Sequence, residues 1–119
     1  MNVIAFEKQT VAPAYDHPRE DRRVDGNPQR TTWVHYLNAS GRVNAGIWTC
    51  EPGCWRIVFA ANKCEFFSVI SGRVCLHSED GSFAEIGPGE AAVIPEGFAG
   101  RFEVLEAVRK YYVVIETHT

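Results

Sequence analysis

The chain has 119 residues, 45% of them hydrophobic and 23% charged, the composition of one compact domain and too little for two independent cores. Twelve Lys and Arg against 15 Asp and Glu leave a formal net charge of -3, so no basic footprint for nucleic acid or an anionic membrane is present. The longest apolar runs, residues 57–61 and 111–115, fall far below the roughly 20 residues that span a bilayer as a helix. The first eight residues meet Glu7 and Lys8 before any apolar stretch develops and carry no basic leader, so a soluble, cytoplasmic protein is expected.

Residues 1–45 differ from the rest. Pro13, Pro18 and Pro28 punctuate a polar stretch containing the charge run Arg19-Glu20-Asp21-Arg22-Arg23, which reads as a solvated loop. Residues 31–37, Thr-Thr-Trp-Val-His-Tyr-Leu, are rich in β-branched and aromatic side chains and form the best strand candidate there. This region is expected to be an extended arm with one or two edge strands, preceding a barrel over residues 46–119.

From Gly46 onward the pattern becomes short strand-like runs: 47–50, 55–60, 65–70, 73–77, 82–86, 91–94, 101–105 and 110–116. Between them stand Pro52-Gly53, Ser71-Gly72, Asp80-Gly81, Gly87-Pro88-Gly89 and Pro95-Glu96-Gly97, where Gly tolerates positive φ and Pro fixes it near its turn value. Short strands at near-regular spacing predict an all-β sandwich or barrel. Residues 104–110 could line one helical face but are too few to stand alone, and a bend between two strands is expected.

Common catalytic signatures are missing. Gly87-Pro88-Gly89 lacks the Lys-Ser/Thr of a phosphate loop, and neither G-x-S-x-G nor H-E-x-x-H occurs. Cys50, Cys54, Cys64 and Cys75 make no C-x-x-C pair and read first as buried reduced thiols. A zinc site from Cys50 and Cys54 with His77 is the alternative. His17 and His118 belong to solvated segments, whereas His35 and His77 sit in strand candidates, where a structural hydrogen-bonded histidine is the commoner role.

Two segments resemble a known family. Glu65 with Gly72 matches the end of the first cupin motif, and Gly89, Pro95 and Gly97 match the start of the second. The chain also resembles the small single-domain cupins related to the cupin domain of (S)-ureidoglycine aminohydrolase. The matching residues are Gly46-Ile47-Trp48-x-Cys50-x-Pro52-Gly53-x-Trp55-Arg56, Ser71-Gly72-Arg73-Val74, Asp80-Gly81, Pro88-Gly89-Glu90, Ile94-Pro95-x-Gly97-Phe98-x-Gly100, Glu103-Val104-x-Glu106 and Val108-Arg109-Lys110-x-Tyr112-Val113. The resemblance implies an all-β cupin jelly-roll barrel (a double-stranded β-helix) with a ligand cavity at its mouth. It also implies a two-fold homodimer, and the N-terminal arm is long enough to be exchanged between subunits.

Metal-binding members of that family use an H-x-H pair, the first-motif Glu and a second-motif His. Here the two first positions fall on Val58 and Ala60, or on Phe59 and Ala61, and the last falls on Gly100, so only Glu65 is left. No cofactor is expected; a divalent metal held through Glu65 would need a different ligand set. With Glu65 inward, alternation sends Phe67 and Val69 to the same face, pairs Trp48 with Cys50, and aligns Lys110, Tyr112 and Val114. The expected catalytic set is Glu65, Lys110 and Tyr112, in a ligand cavity with Trp48, Cys50, Arg56, Phe67, His77 and Phe102. A carboxylate in such a cavity acquires a raised pKa unless Lys110 or Arg56 pairs with it.

Three functions fit these residues. One is an enzyme on a small carboxylate or ureido-type metabolite, either similar to the aminohydrolase or using metal-free proton transfer. A second is a non-catalytic small-molecule binder or sensor, and the third is a barrel that only assembles.

Overall fold

The computed structural model describes residues 2–117. Among these there are nine strands and no α-helix: β1 (Ala14–Asp16), β2 (Arg23–Asp25), β3 (Arg30–Leu37), β4 (Val43–Cys50), β5 (Gly53–Val58), β6 (Lys63–Ser78), β7 (Phe83–Ile86), β8 (Ala91–Ile94) and β9 (Ala99–Glu116). His118 lies outside the described residues.

β6 and β9 organise everything else. They pair antiparallel along nearly their whole length, from Lys63 opposite Glu116 to Ser78 opposite Gly100. The register shifts between Val69 and Val74, where both strands turn a corner. On one side of that corner β2, β5, β9, β6 and β7 lie side by side; on the other, β1, β3, β4, β9, β6 and β8 do. The result is one sheet curled into two facing halves, the jelly-roll architecture expected.

Several short strands expected separately are therefore continuous. Ser71-Gly72 is a bulged corner inside β6, not a hairpin turn, and residues 104–110 are strand throughout β9. Side-chain period decides this: buried residues alternate along β9 at Phe102, Val104, Val108, Lys110 and Tyr112, missing a beat only at the bulge. The expected arm boundary at 45/46 falls within β4. β1, β2 and β3 are hydrogen-bonded into the sheet.

The core fills the space between the two halves. Trp55, Phe102, Leu76, Val74, Val104 and Ile86 face inward from one, and Cys50, Phe67, Val69, Ile94, Val108 and Tyr112 from the other. Phe102 joins the halves: it stacks on Trp55 with centroids 5.2 Å apart, meets Trp48 edge-on at 5.7 Å and lies 6.3 Å from Phe67. Before β1, the chain folds back on its own barrel, where Phe6 stacks on His35 at 4.7 Å and Glu7 accepts a hydrogen bond from Tyr111. No helix among the described residues is long and apolar enough to cross a membrane.

Candidate functional site

The core leaves a cavity of about 260 Å3 between the two halves of the curl. Strand alternation aims the residues into it: Arg30 and Thr32 from β3, Asn44 and Trp48 from β4, Trp55 and Ile57 from β5, Glu65 from β6, and Phe102, Lys110, Tyr112 and Val114 from β9. The wall is mostly apolar and aromatic, with a few polar groups that converge.

The central feature is an ion pair. Lys110 Nζ donates to Glu65 Oε2 at 2.7 Å, with side-chain exposures of 5% and 14%. The ammonium also lies over three rings, 4.3 Å from the centroid of Phe67, 4.5 Å from Trp48 and 4.9 Å from Phe102. Ring quadrupoles and one carboxylate together replace much of the water a buried ammonium loses. Next to it Tyr112 Oη donates to Asn44 Oδ1 at 2.8 Å. Burial, then the Glu65 charge, push the Tyr112 phenol up to about 12, so near neutrality it stays protonated. Its proton is committed to Asn44 and its oxygen lone pairs are left to accept.

Nearer the opening, Arg30 gives Asp16 two hydrogen bonds, Nε to Oδ1 at 2.9 Å and Nη2 to Oδ2 at 2.7 Å. Its guanidinium lies 5.3 Å from the Trp55 centroid. The cavity thus presents two cations and one anion, and the Arg30 partner sits on the neighbouring strand β1.

Of the residues expected in the cavity, Glu65, Lys110, Tyr112, Trp48 and Phe102 line it. Phe67 does not line it: fully buried, it packs in the core beneath the Lys110 ammonium. Cys50 lies deeper, in the core, where its thiol donates to the Glu51 carbonyl at 3.2 Å and burial pushes it up to about 12. Two further placements need correction. Arg56 has the outward parity of β5, one residue from inward Trp55, and donates to the Asp21 carbonyl at 2.6 Å. His77 lies at the far end of β6 from Glu65, because the expected hairpin between them is one continuous strand. The grouping of Cys50 with Cys54 and His77 fails for a related reason: Cys50 points into the core from β4, while Cys54 and His77 are on the outer face of the other half.

Sequence reasoning missed Arg30, Thr32 and Asn44. Alternation in the strand 31–37, extended by one residue, pairs Arg30 with Thr32 on one face. Nothing local distinguishes that face as inward, because the strand belonged to the expected arm. Asn44 lay just outside the strand beginning at residue 47.

The residues do not fit the metal that cupin chemistry uses. Among the described residues, the cavity lining supplies a single carboxylate and no imidazole or thiol, and Lys110 brings a positive charge within 2.7 Å of that carboxylate, repelling a divalent cation.

Comparison with known proteins gives the family. The model of the EutQ-like cupin domain matches residues 37–112. The chain belongs to the EutQ-like cupin family. Among solved structures, this cupin is similar to the Clostridium difficile EutQ protein, with a TM-score of 0.66 and 20% identity over 92% of this chain and 82% of that one. It also resembles a Salmonella typhimurium LT2 protein described as an ethanolamine utilization protein Q, with a TM-score of 0.65 and 17% identity over 92% of this chain and all of that one. A protein of unknown function from Pseudomonas syringae pv. tomato superposes with a TM-score of 0.77 and 22% identity over 91% of this chain, which spans 45% of that protein's length. At such identities these likenesses establish the fold. No curated protein matches the cupin.

Proposed function

We propose that this EutQ-like cupin binds a small metabolite carrying a carboxylate and N–H groups, of the ureido- or amino-acid type, in the cavity between Arg30 and Glu65. The observation that carries the reading is the Glu65–Lys110 pair on the wall of an open cavity. A buried ion pair is weak as a stabilising device, and packed apolar side chains of similar volume often serve better. The position of the pair on a cavity wall supports its use by a ligand.

The polar groups suggest the ligand's chemistry. Arg30 and Lys110 complement a carboxylate. Glu65 Oε1, the oxygen not engaged by Lys110, and the lone pairs of Tyr112 accept N–H donors. The aromatic wall of Trp48, Trp55 and Phe102 takes the apolar remainder, and the cavity volume restricts the ligand to a small molecule.

A second reading, metal-free proton transfer on the same ligand, is favoured by that oxygen of Glu65. As the base it would remove a proton, with the Lys110 ammonium stabilising the anion that develops. Aminohydrolase activity similar to that of the ureidoglycine enzymes would have to proceed without the usual cupin ligand set.

Thermal denaturation with a panel of small ureido- and amino-carboxylates tests the proposal. A true ligand at about 100 times its Kd adds roughly 2.7 kcal/mol and raises Tm by about 10 °C. Arg30→Ala and Glu65→Gln should each lose that rise. Lack of any rise across the panel, or an equal rise in both variants, would overturn the reading; product formation distinguishes enzyme from binder.

A further inference from the structure

A second cluster lies on the opposite, outer face of the sheet. Cys75 on β6 is the direct cross-strand neighbour of Glu103 on β9, and His77 follows two residues along the same face. His77 Nε2 is 2.8 Å from Glu103 Oε1. One donor atom from each of the three residues lies within 4.8 Å of the others. We propose that Cys75, His77 and Glu103 form a second site, separate from the cavity, that binds a divalent transition-metal ion of the zinc class through one thiolate, one imidazole and one carboxylate.

The donor set is what selects the metal. A mixed S, N, O set suits zinc and its neighbours, not magnesium or calcium, which take oxygen ligands. Metal–ligand bonds of about 2.0–2.3 Å place tetrahedral donors roughly 3.3–3.7 Å apart, so the existing spread closes with small rotations about χ angles. Three protein ligands leave a fourth position for solvent.

The surroundings fit a cation. Cys75 stands between Glu85 on β7 and Glu103 on β9, its two cross-strand neighbours, so two carboxylates flank the thiol. Arg101, on the next outward position of β9, opposes the two carboxylates and is exposed to solvent. The imidazole–carboxylate contact alone would account for His77 and Glu103, but it leaves unexplained a buried thiol brought alongside. Cys54 faces Glu103 from β5, two strands from Cys75; at about 4.8 Å per strand their Cα atoms are too far apart for a disulfide. Cys75 therefore stays a thiol that a metal can deprotonate.

The test is titration of chelator-stripped, full-length protein with Co2+ and then Zn2+, followed by absorption. The expected result is one equivalent bound with a thiolate-to-cobalt charge-transfer band, which Zn2+ abolishes. Cys75→Ser should remove the band. His77→Gln and Glu103→Gln, on half-buried side chains that tolerate substitution, should each weaken binding by more than the roughly 10–100-fold typical of losing an outer-shell partner. Cys64→Ser and Glu65→Gln should leave it unchanged. Failure to bind one equivalent with the band, or full binding by His77→Gln, would show that the contact is only a structural hydrogen bond and overturn the proposal.

Discussion

Lys110 does not pair with the residue opposite it. Its cross-strand partner on β6 is Val69, yet its ammonium reaches past Phe67 to Glu65, the partner of Val114. The side chain lies along the sheet over the Phe67 ring, and both charged ends arrive at the cavity wall together. Removing either end leaves the other with different support. Lys110→Met strands a carboxylate in an aromatic pocket and should cost roughly 3–5 kcal/mol. Glu65→Gln keeps an acceptor for an ammonium still held by three rings and should cost about 1–3 kcal/mol. The double variant should lose less than the two combined. Urea denaturation of all three proteins measures these differences.

Tyr112 and Cys50 predict alkaline lability. Both folded-state values are raised to about 12, by burial first, from ordinary values of 10.0 and 9.0. In that interval the unfolded chain releases protons that the folded chain retains, so stability falls as pH rises. Their contribution is complete below pH 9.0 and is lost on rising through about 12. Tyr112→Phe should remove the part that sets in at pH 10.0, so that variant should lose less stability than the parent between pH 10 and 12 in urea titrations at fixed pH.

The corner shared by β6 and β9 depends on Gly72. Its φ is +83°, and a Cβ there would stand 2.1 Å from the Ala107 carbonyl oxygen. Gly89 has nearly the same φ, +81°, with nothing within 4 Å. Gly89→Ala should therefore cost only the left-handed penalty, about 1–2 kcal/mol. Gly72→Ala adds overpacking against backbone and should cost roughly 2–6 kcal/mol. Thermal denaturation of the pair separates backbone strain from steric crowding.

The N-terminal segment should behave as a cover on the outer face of the β3–β4–β9 half. Phe6 stacks on buried His35, whose Nδ1 is 3.1 Å from Gln9 Oε1. Phe6→Ala should cost about 1–2 kcal/mol and shift the His35 ring resonances in NMR spectra. The hydrogen bond from Tyr111 holds the Glu7 carboxyl below its usual range, so this tie is complete above the ordinary value of 4.5 and is lost as pH falls through the lowered one.

The all-β barrel was legible in the sequence because its information is local. Turn residues at Pro52-Gly53, Asp80-Gly81 and Pro95-Glu96-Gly97 set where strands end, and alternation assigned Glu65, Phe67, Lys110 and Tyr112 to consistent faces. The same alternation could not say that Arg56 faces outward, since each strand has two faces and only packing distinguishes them. It also read β6 as two strands, because the glycine that makes a turn in isolation makes a bulge when a neighbouring strand supplies hydrogen bonds through the corner, and β9 as two, because the exposed residues 105–107 interrupt its alternation. Composition, strand periodicity and turn chemistry thus determined the fold class and half of the cavity wall. The pairing of Lys110 with Glu65, the entry of Arg30 and Asn44 into the cavity, and the meeting of Cys75, His77 and Glu103 were decided only by tertiary structure, because each joins residues from different strands whose register is set by the packing of the whole sheet.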